Sequence, residues 1–514
     1  MEVISREIIK PSSNTSSHLQ IYPLSFIDHL CPPNYIPLVF FYQNQSFEPE
    51  DGGGTSIFKA SEERTKLLKK SLSEVLSMYY PFAGRVKDQV SIDCNDDGVT
   101  FIVTHMKHKL SEILKDPSEE FLDPLFPNEM HWKKPGPQGS LVAVQVNHFE
   151  CGGTAISVCL SHKVAEASSL CHFVKDWASI TTKSQVTFPV FNGASLFPIG
   201  DLPMFPETDT KIKSNMVSKR FVFDASKIKS LMTMASQGVE IKPTREQAVA
   251  SLIYKCVVST LRSSSRVPKQ LTTYLNVAVD LRAGMIPQQP EKSIGNLVWG
   301  FAVPSPNSPE EEELQELVRK IQKGLSEFWD PFAKGLGKER MMKILELLKA
   351  TGPSENVFLF NITSWCGSGM YEADFGWGKP TWVTTCGSPP KKDVALLMDA
   401  RGGEGIEVLV TMDEQDMDLR QWYNGDNDDL NERSEEKEIE EEIEEERLEE
   451  SKIEEEIQEE SLEEESDTEV ETKKERSKDD DSSDDDVELV EEVRMPEEWN
   501  GFESKPLCFS DIFK

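Results

Sequence analysis

At 514 residues the chain is longer than the roughly 250 to 300 residues at which one hydrophobic core stops growing, so two domains are expected and a small disulfide-stapled scaffold is excluded. The formal charge of −35 sits at one end: after Tyr423 about 40 acidic residues face about 11 basic ones, and the body before it is close to neutral. No basic stripe with interleaved aromatics supports nucleic-acid binding, and nine scattered cysteines without a C-x-x-C pair support neither a disulfide framework nor a cysteine-rich zinc site.

The N-terminal MEVISREIIKPSSNTSS lacks the basic and apolar regions of a secretory signal, and no run of roughly 18 apolar residues is present to span a membrane. A soluble, cytoplasmic protein is expected. Leu67, Leu68, Leu72, Val75, Leu76 and Tyr79 recur at helical spacing, which predicts an amphipathic helix over residues 61–80, stopped at Tyr80 by Pro81. Val142, Val144 and Val146 alternate with Ala143, Gln145 and Asn147, then Glu150-Cys151-Gly152-Gly153 supplies turn chemistry and Ile156, Val158 and Leu160 resume a period of two. That pattern predicts two antiparallel strands.

Ser184 to Met216 holds four prolines (Pro189, Pro198, Pro203, Pro206) and little periodicity, as expected of a link between domains. The division reads as an N-terminal domain over 1–190, a crossover over 191–216 and a C-terminal domain over 217–423. In the last of these, Thr244 with Gln247 and Ser308 with Glu311 form capping boxes ahead of apolar helical stripes. Strands are predicted at Leu275–Val279, Val394–Met398 and Ile406–Met412, completing a mixed α/β pattern. From Asn424 onward, like charge and few apolar residues leave too little area to offset ordering entropy, so a disordered acidic tail is expected. It reads as a solvating segment or as an interaction tail for a basic partner.

Several chemistries lose their support. Gly376-Trp377-Gly378-Lys379 is followed by Pro380 and makes no phosphate-cradling loop, and no zinc-protease, nucleophile-elbow or dinucleotide motif occurs. No metal is implied. His162 remains, continuing the parity of Ile156, Val158 and Leu160 to a junction before a helical stripe at Leu170, Phe173, Val174 and Trp177. Such a junction suits an imidazole that takes a proton near neutral pH, and equally a hydrogen-bonded core histidine. A hydrolase using Ser161 or Cys159 with His162 lacks a recognisable elbow.

Longer motifs add a resemblance. His162-Lys163-Val164-Ala165-Glu166 resembles the H-x-x-x-D motif of the BAHD acyl-CoA-dependent acyltransferases of plants, and Asp374-Phe375-Gly376-Trp377-Gly378 matches their D-F-G-W-G motif in full. Tyr80-Pro81-Phe82-Ala83-Gly84-Arg85, Asn276 to Arg282, Gly295-Asn296 and Thr363-Ser364-Trp365 are also similar, over roughly residues 5–420. The opening IKPSS and LSFIDHL resemble the vinorine synthase-like branch. The resemblance implies two similar-sized α/β domains of the chloramphenicol-acetyltransferase type, each with a mixed sheet and with a tunnel between them. It further implies a monomeric O-acyltransferase that uses an acyl-CoA co-substrate, acetyl-CoA first, and a small-molecule alcohol such as an indole alkaloid.

By match of motif, His162 is the implied general base, Thr363 and Trp365 the contacts to the tetrahedral intermediate, and Asp374 to Gly378 an architectural turn. Trp365 reads equally as an aromatic filling a domain interface. One departure stands out: the family's Asp is Glu166 here, with Arg282 its implied partner. The added methylene shifts a carboxylate by on the order of 1 Å, a displacement that near a reacting centre can cost about 10²-fold. A catalytically impaired, ligand-binding or interaction protein is the alternative, motivated by that departure and by the acidic C-terminus.

Overall fold

The computed structural model describes residues 1–44, 54–115, 117–127, 139–200, 216–263, 271–282, 284–305, 313–332, 357–385 and 392–417. The capping box at Ser308 and the acidic tail lie outside these residues. The first half carries strands β1 (Glu2–Ile9), β2 (Ile21–Pro23), β3 (Tyr35–Tyr42), β4 (Arg85–Asp88), β5 (Ser91–Asp93), β6 (Val99–Met106), β7 (Val142–Phe149) and β8 (Thr154–Ser161). Its helices are α1 (Phe26–Leu30), α2 (Gly54–Met78), α3 (Leu110–Lys115), α4 (Glu119–Leu122), α5 (Ala167–Thr181) and α6 (Gly193–Leu196). The second half runs β9 (Met216–Phe223), α7 (Ala225–Ala235), α8 (Arg245–Ser263), β10 (Thr272–Asp280), β11 (Val298–Pro304) and α9 (Leu314–Phe332). It ends on β12 (Val357–Ser364), β13 (Trp382–Thr384), β14 (Val394–Asp399) and β15 (Ile406–Asp413).

Two six-stranded mixed sheets result, in the orders β1-β6-β7-β8-β3-β13 and β11-β10-β12-β14-β15-β9, beside a small β2-β5-β4 sheet. Parallel pairs are β6 with β7, β10 with β12 and β12 with β14. In the first sheet β3, β7 and β8 are buried at every position, because both faces are covered. Val142, Val144, Ile156 and Val158 pack with Leu68, Leu72, Val75 and Leu76 of α2 and Phe173 and Trp177 of α5. The other face packs Val39, Phe41, Ala143 and Cys159 against Ile113, Leu122 and Leu125. The alternating Gln145 and Asn147 therefore face no solvent; their amides donate to the carbonyls of Pro124 and Leu125 and anchor that second layer.

Helix α2 begins at Gly54, ahead of the expected residue 61, since the added turns carry no apolar stripe: Phe58 is 62% exposed there. Leu67 is also exposed, on the solvent side of the stripe that Leu68 and Leu72 bury. Ahead of Pro81 the helix stops at Met78 and the chain turns through a short 3-10 segment, because proline disfavours helical backbone in the residue before it. The predicted hairpin is β7 and β8, turning on Gly152 at φ 80°. The Thr244–Gln247 capping box is present, with Gln247 N–H donating to Thr244 Oγ1 at 3.2 Å and Thr244 N–H to Gln247 Oε1 at 3.1 Å.

The sheets do not follow a single cut in the chain. Within the expected 217–423 domain, Trp382–Thr384 crosses over and pairs antiparallel with Val39–Phe41 of β3, closing an edge of the first sheet. At the end of the expected 1–190 domain Val190 bridges Ser293, and α6 forms within the expected crossover over 191–216. Among the described residues, no helix is long and apolar enough to cross a membrane.

Candidate active site

Strand β8 ends at Ser161, and His162 follows at its end, its N–H donating to the Asn34 carbonyl at 2.8 Å. Glu166 then caps α5: its carboxylate accepts the N–H groups of Ser168 at 2.6 Å and Ser169 at 3.0 Å. The intervening H-x-x-x-E loop is thus fixed at one end by the sheet and at the other by a helix N-terminus, where a carboxylate is favoured by the unpaired N–H groups and the helix dipole.

The longer side chain reaches its implied partner. Arg282 Nη2 lies 2.7 Å from Glu166 Oε1 and 3.1 Å from the Ser169 hydroxyl, which itself donates to Glu166 at 2.7 Å. Arg282 Nη1 pairs with Asp280 at 3.0 Å and its Nε donates to the Ser293 carbonyl. Burial pushes the Glu166 pKa up, but the Arg282 charge and the hydrogen bonds from Ser169, Arg282 and Ser168 bring it below the ordinary carboxylate value. Arg282 follows β10 and Glu166 precedes α5, so this buried ion pair ties one sheet's chain to the other's.

His162 is 4% exposed. Its Nδ1 lies 2.9 Å from Asn296 Oδ1, while Asn296 Nδ2 donates to the His162 carbonyl and to Asp28 Oδ1, each at 2.8 Å. Asp28 belongs to α1, where Ser25 and Asp28 form a reciprocal capping box. Burial lowers the imidazole pKa, with Lys163 adding to the effect and its own carbonyl, Glu166 and Asn296 opposing it. The neutral ring, the form that accepts a proton, is therefore favoured down to lower pH than for a free histidine.

Thr363 and Trp365 sit at the C-terminal end of β12 in the second sheet. Thr363 pairs with Leu396, and the Trp365 N–H donates to the Leu397 carbonyl at 2.8 Å. The Trp365 ring packs against both the first core and a cluster of Leu396, Met398 and Leu409, so its interface-filling role is a structural fact. Asp374 Oδ1 accepts the N–H groups of Gly376 at 2.7 Å and Gly378 at 3.0 Å, both glycines at φ 101°. Phe375 and Trp377 stack on each other, with Phe375 edge-on to Trp177 and both rings edge-on to Tyr42. This turn carries chain from the second sheet onto the first.

Asp28, Asn296 and Ser169 received no role from sequence reasoning. Asp28 and Asn296 lie in stretches noted for resemblance, LSFIDHL and Gly295-Asn296, but resemblance gave them no contact; the partners lie 126 to 268 residues apart. A cavity of about 490 Å³ lined by Phe58, Thr65, His105 and His148 also exists. It adjoins His148, which pairs with Thr154 at the opposite end of the β7–β8 ladder from His162.

Two mixed sheets tied by a buried ion pair, with a buried imidazole between a strand end and a helix start, are the arrangement that the resemblance to acyltransferases of the chloramphenicol-acetyltransferase type implies. The chain belongs to the Transferase family, the BAHD acyltransferases, whose model matches residues 1–423. It is 35% identical over 426 residues to limonoid 21-O-acetyltransferase of Melia azedarach, covering 81% of this chain and 95% of that protein. Stemmadenine O-acetyltransferase of Catharanthus roseus is 34% identical over 430 residues, covering 82% and 96%. The crystal structure of vinorine synthase superposes with a TM-score of 0.68 at 32% identity, covering 81% of this chain and 95% of that one.

Proposed function

We propose that this protein transfers an acyl group from a coenzyme A thioester, acetyl-CoA in the first instance, to a hydroxyl of a plant specialised metabolite such as an indole alkaloid. The observation that carries the reading is His162 itself, a buried imidazole held neutral by its surroundings at the end of β8. Relatives at 34 and 35% identity that are named as O-acetyltransferases support the reaction class.

In this reading His162 takes the proton of the acceptor hydroxyl as its oxygen attacks the thioester carbonyl. The tetrahedral intermediate collapses with cleavage of the C–S bond, and the imidazolium returns its proton to the departing thiolate. Thr363 and Trp365 are the proposed donors to the oxyanion, a contribution of about 2.7 to 4 kcal/mol for each effective donor. Transfer is direct, so the kinetics are sequential with no acyl-enzyme. In this reading the ring, only 4% exposed, is to be reached through the tunnel between the halves that the family resemblance implies. The same reading makes the protein a cytosolic monomer.

The test is a screen of acetyl-CoA and malonyl-CoA against a panel of plant alcohols, following thiol release, with His162→Ala beside the unaltered chain. A loss of about 10² to 10⁴ in rate is expected. Unchanged rates in the variant would remove His162 from this role. The impaired-protein alternative loses its motive at Glu166, which reaches Arg282 in spite of the added methylene.

A further inference from the structure

One buried acceptor on the second sheet has nothing to accept. Asn276 of β10 is 0% exposed, and no donor among the described residues reaches its Oδ1. Its orientation is fixed from the β12 side. Asn361, in register with it, donates its Nδ2 to the Asp393 carbonyl at 3.2 Å, so Asn361 Oδ1 faces β10 and accepts Asn276 Nδ2 at 3.3 Å. Turning the Asn276 amide over would set two oxygens against each other. With its nitrogen toward β12, the amide holds its oxygen toward β11, where the residues opposite Asn276 and Ala278 are Ala302 and Gly300. Neither has a side-chain donor or fills the space above the strand. Buried acceptors of this kind are satisfied from protein, water or ligand, and here the protein supplies nothing.

The face of the sheet decides what could reach it. Phe360 stacks with Tyr254 of α8, and Phe301 meets Phe328 of α9, so their chain neighbours Asn361 and Ala302 point away from those helices. On that opposite side Leu396, in register with Thr363, packs with Leu409 against Trp365, which also packs on the first core. Asn276 therefore shares with Thr363 the face turned toward the first half. Thr363 lies two residues beyond Asn361 on the strand next to β10, which puts the Asn276 and Thr363 Cα atoms roughly 8 Å apart.

We propose that Asn276 Oδ1 accepts the amide N–H nearest the sulfur in the pantetheine arm of the acyl-CoA, the arm lying over the small residues Ala278, Gly300 and Ala302. This inference deepens the acyl-CoA reading and rests on it, with Thr363 as the oxyanion contact. In any acyl-CoA four bonds, about 5 Å when extended, separate the thioester carbonyl carbon from that nitrogen, whatever the acyl group. A hydrogen bond of about 3 Å at each end, to Thr363 and to Asn276, covers the interval between the two residues. The amide N–H is a donor on an otherwise apolar stretch of the arm, which matches one fixed acceptor set among small side chains. Asn361 is the positioning residue, since its amide holds the Asn276 oxygen out toward the ligand.

The test is titration calorimetry on the full-length chain with coenzyme A and with an analogue in which that N–H is replaced by CH2, repeated on Asn276→Leu. The unaltered chain is expected to bind coenzyme A about tenfold more tightly than the analogue, the worth of one hydrogen bond to a buried acceptor. Asn276→Leu is expected to bind the two alike, and coenzyme A about tenfold more weakly than the unaltered chain does. Equal affinities of the two ligands for the unaltered chain would leave the Asn276 oxygen to a buried water and overturn the proposal, whether or not the variant folds. A folded Asn276→Leu chain that still discriminates tenfold would place the amide elsewhere and overturn it as well. If neither ligand binds the unaltered chain, the acyl-CoA reading itself fails and takes this subsite with it. Binding needs no acceptor alcohol, so a failure to find turnover and a failure of this contact are read separately.

Discussion

Glu166 shows how one methylene is absorbed. Its carboxylate still meets Arg282 at 2.7 Å, and it does so while capping α5 through Ser168 and Ser169. The Ser169 hydroxyl also donates to Glu166 Oε1 at 2.7 Å and lies 3.1 Å from the Gly295 carbonyl, beside Asn296. Removing one partner of a buried pair costs about 3 to 5 kcal/mol when the other charge is left uncompensated; here Arg282 keeps Asp280, so the loss falls below that range but adds to the loss of the helix cap. Glu166→Gln is therefore expected to lower the denaturation midpoint markedly. Glu166→Asp shortens the reach and must surrender either the Arg282 contact or the helix cap, so it is expected to lower stability and to raise turnover not at all. A substantial gain in thiol release for Glu166→Asp would show instead that the glutamate holds His162 out of place. The sign with pH follows from the lowered carboxyl pKa: this stabilisation is complete above the unfolded glutamate value and is lost as pH falls through the folded one.

At the scale of elements, legibility tracked local periodicity. The β7–β8 hairpin, the core stripe of α2, the α8 capping box and strands β10, β14 and β15 repeat their pattern over several residues, and each was readable. Strand β3 is buried at all eight positions, a continuous apolar run that periodicity cannot assign to strand or helix. Strand β13 has three residues, too few for any period, and its partner is some 340 residues earlier in the chain. The candidate site divides the same way. His162, Glu166, Arg282 and Asp374 were given roles through motif resemblance, whereas Asp28 and Asn296, though inside similar stretches, make contacts 134 and 268 residues away that no local pattern shows. The Asp374 turn is an element with a calculable anchor, since one carboxylate oxygen ties two glycine N–H groups. Asp374→Ala is expected to cost roughly 1.5 to 3 kcal/mol, the usual worth of hydrogen bonds to a charged group. Its loss should lower the urea midpoint while leaving the apparent pKa of the pH–rate profile in place. A shifted profile would put Asp374 in contact with the reacting groups.

Over the whole body, the two sheets are joined by more than the strand that crosses between them. Trp382 of β13 is fully buried, and its indole N–H donates to Glu407 of β15 at 2.8 Å. Arg220 of β9 and Arg401 place their guanidinium groups 5.0 and 4.3 Å from the centre of the Trp382 ring, and Arg220 also pairs with Glu407 at 2.7 Å. Glu166–Arg282 and Asp176–Lys292, the latter at 2.6 Å, add ion pairs between chain segments of the two halves. Each cation–π contact contributes about 0.5 to 2 kcal/mol, and separating the halves breaks the Glu166–Arg282 and Asp176–Lys292 pairs, so separation is penalised by both kinds of contact. The sheets are therefore expected to unfold together, in one calorimetric transition whose van't Hoff and calorimetric enthalpies agree. Trp382→Ala removes the ring that orders both guanidinium groups and leaves a carboxylate oxygen of Glu407 without its donor; a loss of about 3 to 5 kcal/mol is expected from the cavity alone. If coupling runs through this cluster, the variant should melt earlier and resolve into two transitions. Two separate transitions already present in the unaltered chain would show that the halves are held by the crossing strand without being energetically coupled.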